Sequence, residues 1–320
     1  LQAMRIMGEQ FVLGRTVKEA LKRGRHMIKD GDAANFSFDM LGEGARTSED
    51  AERYFTAYMD AIKAVGADGD PKYAPEEKNG ISVKLSALHP RYEAVNQARV
   101  MDELYPKLLA LTEEAAKHNI NLCIDAEEAD RLVISLKLLE RLMREPALKG
   151  WQGLGLAVQA YQKRASEVIE RLSKLAGETG TRLMVRLVKG AYWDTEIKHA
   201  QEEGMVGEPL YGAAEKGGKV RVYAPVGAHK DLLPYLVRRL LENGANTSFV
   251  HSFLDPDVPV EKVVDDPIAK VEAGPRRHPR IPTPPRLYGP LRRNSVGVDL
   301  SQAGERDVLE QNVAKLETGP

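Results

Sequence analysis

One cysteine in 320 residues, Cys123, leaves this chain no internal disulfide. It lies in the apolar run Ile120 to Ile124, which suits a buried, inert thiol better than a nucleophile. Such sparing use of cysteine fits a reducing compartment. The net charge of -1 gives no general attraction for nucleic acid. No apolar run approaches membrane-spanning length, and no stretch has the pattern of a secretory signal. The seven histidines are dispersed without an HxxxH pair, which ranks metal catalysis low. An initial Met is also lacking, so the expectation is a piece of something longer.

What is present is the composition of a soluble globular protein, 42% hydrophobic and 29% charged, organised around RLMVRLVKGAYWDTE, Arg182 to Glu196. Leu183, Met184, Val185, Leu187 and Val188 predict a strand buried on both faces, as in a parallel sheet. Arg186 and Lys189 interrupt it, and Gly190 turns the chain before Tyr192 and Trp193. Buried cations are costly without an anion or another partner, so these two either pair with carboxylates on neighbouring strands or face a ligand.

In chain order, residues 1–31 read as partly helical and amphipathic. Phe36 to Leu41 predicts a first strand. Thr47 and Asp50 form a capping box opening a helix to about Val65, with Tyr54, Phe55, Tyr58, Met59 and Ile62 at helical spacing. Ile81 to Leu88 predicts a second strand with Lys84 embedded, and Val100 to His118 a helix. Asn121 to Asp125 is a third strand ending on a carboxylate. Leu132, Leu136, Leu139 and Leu142 mark the next helix. Gly155 to Ala160 is a fourth strand carrying Gln159, followed by a helix with Val168, Ile169, Leu172 and Leu175. The central stretch is the fifth. Strands alternating with helices predict a parallel α/β domain. Lys84, Asp125, Gln159, Arg186 and Lys189 all fall at or near strand carboxyl ends, where a (β/α)8 barrel builds its active site.

Beyond the fifth strand the pattern changes. Residues 204–219 are Gly- and Glu-rich, and Val220 to Pro225 is another strand. The helix from His229 to Asn243 carries Arg238, Arg239 and Glu242. Glu242 lies four residues after Arg238, as a solvated ion pair would; adjacent arginines also suit an anion clamp. Residues 274–298 mix prolines with arginines, which excludes helix and central strand and predicts an extended tether. Tyr288 stands alone there, so no aromatic platform for nucleic acid accompanies the charge.

Several stretches carry a more specific resemblance: MGEQFVLG (Met7 to Gly14), SVKLSALHPRY (Ser82 to Tyr92), IDAEEADRL (Ile124 to Leu132), VRLVKGAYWD (Val185 to Asp194), YAPVG (Tyr223 to Gly227) and YLVRRLLENGANTSFV (Tyr235 to Val250). Together they resemble, in order and over most of residues 4–254, the proline dehydrogenase domain of the bacterial proline utilization A flavoproteins. The later motif LYGPLRRNSVGVDL (Leu287 to Leu300) resembles the connector toward their aldehyde dehydrogenase domain. The resemblance implies an FAD-dependent TIM-barrel-like (β/α)8 domain that oxidises L-proline to Δ1-pyrroline-5-carboxylate and passes electrons to a membrane quinone. It implies a bacterial cytoplasmic location, with the parent protein peripheral at the inner membrane. By motif, Arg238 and Arg239 would bind the substrate carboxylate, and Lys84 with Asp125 would sit near substrate and flavin. Tyr192 and Tyr223 would wall the proline ring. Arg186 would sit beside the flavin N5 region, with Gln159, Val188, Lys189, Gly190 and Trp193 also on FAD. Glu242 would bind the cofactor's adenosine part or hold Arg238. The implied division is a helical arm over 1–35, the barrel over 36–254 and the connector over 255–320.

One departure from that pattern stands out. Between Met205 and Gly207 the sixth strand and most of the seventh βα unit are absent, on the order of 60 residues or more for two such units. Six strands would then remain where a closed barrel needs eight, with two exposed edges. Two other functions fit the sequence: a non-catalytic or flavin-poor remnant of the domain, and a barrel lyase using Lys84 or Lys189 as a Schiff base.

Overall fold

The computed structural model describes residues 12–31, 34–160, 162, 164–188, 190, 192, 222–227, 259, 273, 286, 288–293 and 298–317. Helix α1, Val17–Asp30, begins at Thr16, whose hydroxyl accepts the Glu19 N–H, and ends on Gly31 at φ 83°. Strand β1, Phe36–Met40, leads to helix α2, Ser48–Asp68. The N-cap bond read from the sequence forms, Asp50 N–H to Thr47 Oγ1 at 3.1 Å. The return bond shifts by one residue: the Asp50 carboxylate accepts from Arg46 N–H. Strand β2, Gly80–Val83, is shorter than its apolar run predicts, because Leu85–Ala87 coils into a 3-10 turn. Lys84 therefore stands just past the strand rather than inside it. The single helix expected over 100–118 is two, α3, Gln97–Glu103, and α4, Tyr105–Lys117. Pro106 lies in the first turn of α4, where the proline ring is tolerated; a continuous helix would place it in the interior. Strand β3, Leu122–Ile124, helix α5, Leu132–Met143, strand β4, Leu154–Gln159, helix α6, Ala165–Thr179, and strand β5, Met184–Val188, follow. Strand β6 is Val222–Val226, and helix α7, Ala303–Glu317, lies inside the segment read as connector.

The six strands form one all-parallel sheet in the order β5-β4-β3-β2-β1-β6. Its two faces differ chemically. Phe36, Phe38, Ile81, Val83, Leu122, Ile124, Leu154, Leu156 and Val158 point outward and are buried with apolar residues of the helices. The alternate positions, Ser37, Asp39, Ser82, Cys123, Ala157 and Gln159, are buried on the inner face and are small or polar. Period-two alternation thus sorts each strand into a core side and a site side. Cys123 is a buried free thiol, as its apolar run predicts.

Strand β5 departs from its expected burial on both faces. Val185 and Leu187 are 42% and 43% exposed, since β5 ends the sheet and has no further neighbour among the described strands. The opposite edge is not simply open. The Pro225 carbonyl and Gly227 N–H face away from β1; they bond to Leu13 N–H at 3.0 Å and the Gly14 carbonyl at 3.1 Å. Segment 12–14, the end of the MGEQFVLG motif, therefore covers the carboxyl end of the β6 edge. Residues before β1 join the same core, with Ala20 and Leu21 buried.

Candidate active site

Four charged side chains form a line across the inner face. Asp39 projects from β1, Lys84 follows β2, Asp125 follows β3 and Arg186 belongs to β5. Lys84 Nζ lies 2.6 Å from Asp39 Oδ2 and 3.1 Å from Asp125 Oδ2. The second Asp125 oxygen pairs with Arg186 Nη2, and Arg186 Nη1 donates to Ser82 Oγ at 2.6 Å. Ser82 and Ser37 hydroxyls are 2.9 Å apart. Negative and positive charges alternate along the line, so the cluster is neutral as a whole. Asp39, Lys84 and Asp125 are 0–6% exposed, and removing ions from water is repaid only by such close pairing and hydrogen bonding. Burial pushes the Asp125 carboxyl up, but Lys84 and Arg186 outweigh it and hold the group below the usual carboxylate range.

The main chain at this point is held by Tyr58 of α2. Its hydroxyl accepts the Lys84 N–H at 3.1 Å, and burial pushes its phenol well up, keeping it neutral. Gln159 ends β4 and donates its Nε2 to the Glu127 carbonyl at 2.7 Å. Val188 is the register partner of Gln159, and Arg186 lies two residues earlier on the same face. Gly190 is buried at φ 127°, a conformation that favours glycine. Tyr192 is half-buried. Tyr223 pairs in register with Ser37 on β1. Lys189, Trp193, Arg238, Arg239 and Glu242 lie outside the described residues.

The structure therefore joins Lys84, Asp125 and Arg186 directly and places Gln159, Val188 and Gly190 at the same end of the sheet. For Arg186 it bears out the first of the two readings, pairing with a carboxylate. Its partners are the Asp125 carboxylate and the Ser82 hydroxyl. The structure also adds residues that sequence reasoning missed. Asp39 was available as a charge inside the buried run FSFDML, Ser82 as the polar residue two before Lys84. Tyr58 carried no signal beyond its place on an apolar helix face.

A model of the proline dehydrogenase family matches residues 20–216 and, in a second piece, 203–252. The chain belongs to the proline dehydrogenase family. It is 44% identical to the bifunctional protein PutA of Klebsiella aerogenes over 93% of this chain and 29% of that protein. It is 25% identical to a proline dehydrogenase of Deinococcus radiodurans, over 78% of this chain and 90% of that protein. The crystal structure of the D779Y mutant of Bradyrhizobium japonicum PutA covers 98% of this chain at 44% identity and a TM-score of 0.83, with 38% of that chain matched. The chain thus spans less than a third of the Klebsiella relative. The barrel-like fold expected from the motifs stands, with six strands among the described residues; the Klebsiella alignment extends over 380 residues, whereas 93% of 320 is about 298, so about 82 positions of the relative have no counterpart here. The two-piece family match places a break near residues 203–216, where the sequence also lacks two βα units.

Proposed function

We propose that this proline dehydrogenase family domain oxidises L-proline to Δ1-pyrroline-5-carboxylate, with FAD as its cofactor and a quinone as the later electron acceptor. The observation that carries this is the neutral line Asp39–Lys84–Asp125–Arg186 at the strand ends of a barrel of this family. FAD would supply the acceptor for the hydride that leaves proline C5. The residues present fit that cofactor: Gln159, Arg186, Val188 and Gly190 make one patch on adjacent strands, with Arg186 supplying positive charge. Arg186 is 25% exposed at its side chain, so it reaches out from the ion-pair line while remaining tied to Asp125.

Because the cluster neutralises itself, it leaves the substrate carboxylate to other cations, and Arg238 and Arg239 supply the planar forks that suit it. Lys84 and Asp125 fix the charge beside the ring, and Tyr192 and Tyr223 wall it. A Schiff-base lysine needs a neutral, unengaged amine; Lys84 makes ion pairs with two carboxylates, which argues against the lyase reading. The alignment gap of about 82 positions favours a second reading, a domain that holds flavin poorly. The C-terminal segment would lead to an aldehyde dehydrogenase domain in the parent protein. Among the described residues no helix is long and apolar enough to cross a membrane. We place the parent protein in the bacterial cytoplasm, peripheral at the inner membrane where it meets its quinone.

Two substitutions test the assignment. Arg239→Met and Arg238→Met should each raise KM for proline with little change in flavin content, since a lost charged hydrogen bond to a carboxylate costs about 1.5–3 kcal/mol. Wild-type proline affinity in both would remove the clamp. Arg186→Ala should lower the flavin reduction potential or empty the cofactor site, because reduced flavin is anionic and a nearby cation stabilises it. Spectroelectrochemistry showing full flavin at the parent potential would defeat that role.

A further inference from the structure

Glu127 takes no part in the reaction as described, yet it ties its own loop after β3 to the loop after β2 and to the end of β4. It lies two residues after Asp125 and is 8% exposed. Its Oε1 accepts the Ser86 N–H at 3.0 Å, two residues after Lys84. Its main-chain carbonyl accepts the Gln159 side-chain amide at 2.7 Å. Ser86 in turn accepts Gly44 N–H on its hydroxyl at 3.1 Å and Ala45 N–H on its carbonyl at 2.8 Å. The loops after β2 and β3 and the end of β4 thus converge on one carboxylate residue, and the loop after β1 joins them through Ser86. A cavity lined by Tyr92, Asp125, Glu127, Arg131, Ser135 and Gln159 lies beside it.

We infer that Glu127 is a positioning residue: its ionised carboxylate holds the loop behind Lys84, and its main chain aims the Gln159 amide toward the cofactor face. The inference rests on the proline-oxidising reading only for what the site is used for. The charged and titratable groups facing Glu127 are Arg131, whose Nη1 is 3.2 Å from Oε2, and Glu128, Asp125 and Tyr92. Asp130 acts on it through Arg131. Burial pushes the Glu127 carboxyl up to about 7 despite Arg131 and the Ser86 bond, so the hold on Ser86 changes with pH near neutrality.

The sign of the stability effect follows. A carboxyl whose folded value is raised favours folding below its unfolded value near 4.5, and that contribution is lost as pH rises toward 7. The parent should therefore lose denaturation midpoint over this window more steeply than Glu127→Gln. The decisive measurement is an NMR titration of the cofactor-free full chain. In the parent, the Ser86 amide, the Asp125 amide and the Gln159 side-chain amide should move together with one midpoint near 7. All three should be flat in Glu127→Gln. Glu127→Ala should displace the Asp125 and Gln159 signals at every pH; if that variant fails to fold, the Gln comparison decides. A Ser86 step not shared by Asp125 and Gln159, or one that survives in Glu127→Gln, overturns the role. The expected titration in a chain that fails to oxidise proline even after the absent βα units are inserted between Met205 and Gly207 would instead overturn the proposed function.

Discussion

Inserting the missing βα units between Met205 and Gly207 should raise FAD occupancy to stoichiometric and proline turnover well above that of this chain. The structure shows why the effect should be large. Among the described strands, β5 ends the sheet on one side and β6 on the other, and the two do not pair. In a closed barrel two further strands would bridge them. Val185 and Leu187 on β5 keep more than 40% of their surface exposed, whereas full burial of such side chains contributes about 1.5–3 kcal/mol each. The β5 main chain would also gain a row of hydrogen-bond partners. The proposed flavin patch, Gln159, Arg186, Val188 and Gly190, lies on β4, on β5 and just past the open end of β5. Flavin absorbance per polypeptide and proline turnover, measured on both chains, check this. Equal flavin content and equal turnover would show that six strands suffice. A peptide map with extra peptides between Met205 and Gly207 would show that the segment is already in the protein.

Lys84→Met should unfold the site more than any other single substitution among the described residues. Methionine matches the stem but removes the charge that Asp39 and Asp125 share. Breaking a buried ion pair from one side costs about 3–5 kcal/mol, because the remaining charge is left in a poor solvent. Here two carboxylates lose the cation they share, while the Arg186 pair is with Asp125. The loss should depend on pH in a stated direction. In the parent, the depressed Asp125 value contributes stability above its unfolded value of about 3.9 that is lost as pH falls through the folded value. In Lys84→Met the carboxylates favour their protonated forms, so the deficit should be greatest at neutral pH and shrink in acid. Denaturant midpoints at pH 7 and pH 4 measure this; a deficit that is constant with pH would point to packing instead of charge. Proline oxidation should fall with it.

Much of this arrangement was legible one strand at a time. The apolar runs located all six described strands, and Lys84, Asp125 and Gln159 fell where the strands end. What could not be read were relations across the sheet. Asp39 looks like an isolated acid in FSFDML until β1 and β2 are in register, when it lies beside Ser82 and within reach of Lys84. Tyr58 looks like an apolar helix contact until its hydroxyl meets the Lys84 N–H. The exposure of β5 follows from where the sheet stops, which no property of Val185 or Leu187 announces. Likewise, the main-chain bonds of Leu13 and Gly14 to the β6 edge involve atoms common to every residue type, so composition is silent about them. Helix α7 was hidden by the proline-rich run that precedes it.

The pairing of Phe36 with Val222 has a kinetic consequence. Strands β1 to β5 each neighbour the next in sequence, so their pairing involves short loop closures and can begin while the chain is still being made. The β6 ladder must wait for residues nearly two hundred positions downstream. Long-range parallel pairing of this kind is slow, and it comes late in folding. Until then the β1 edge is bare on a growing polypeptide, and the Leu13 N–H still lacks the Pro225 carbonyl it will later engage. The early-made amino-terminal segment and the late-made β6 are partners in one final step, so a folding intermediate with five paired strands and an unprotected β1 edge is the species a chaperone would meet.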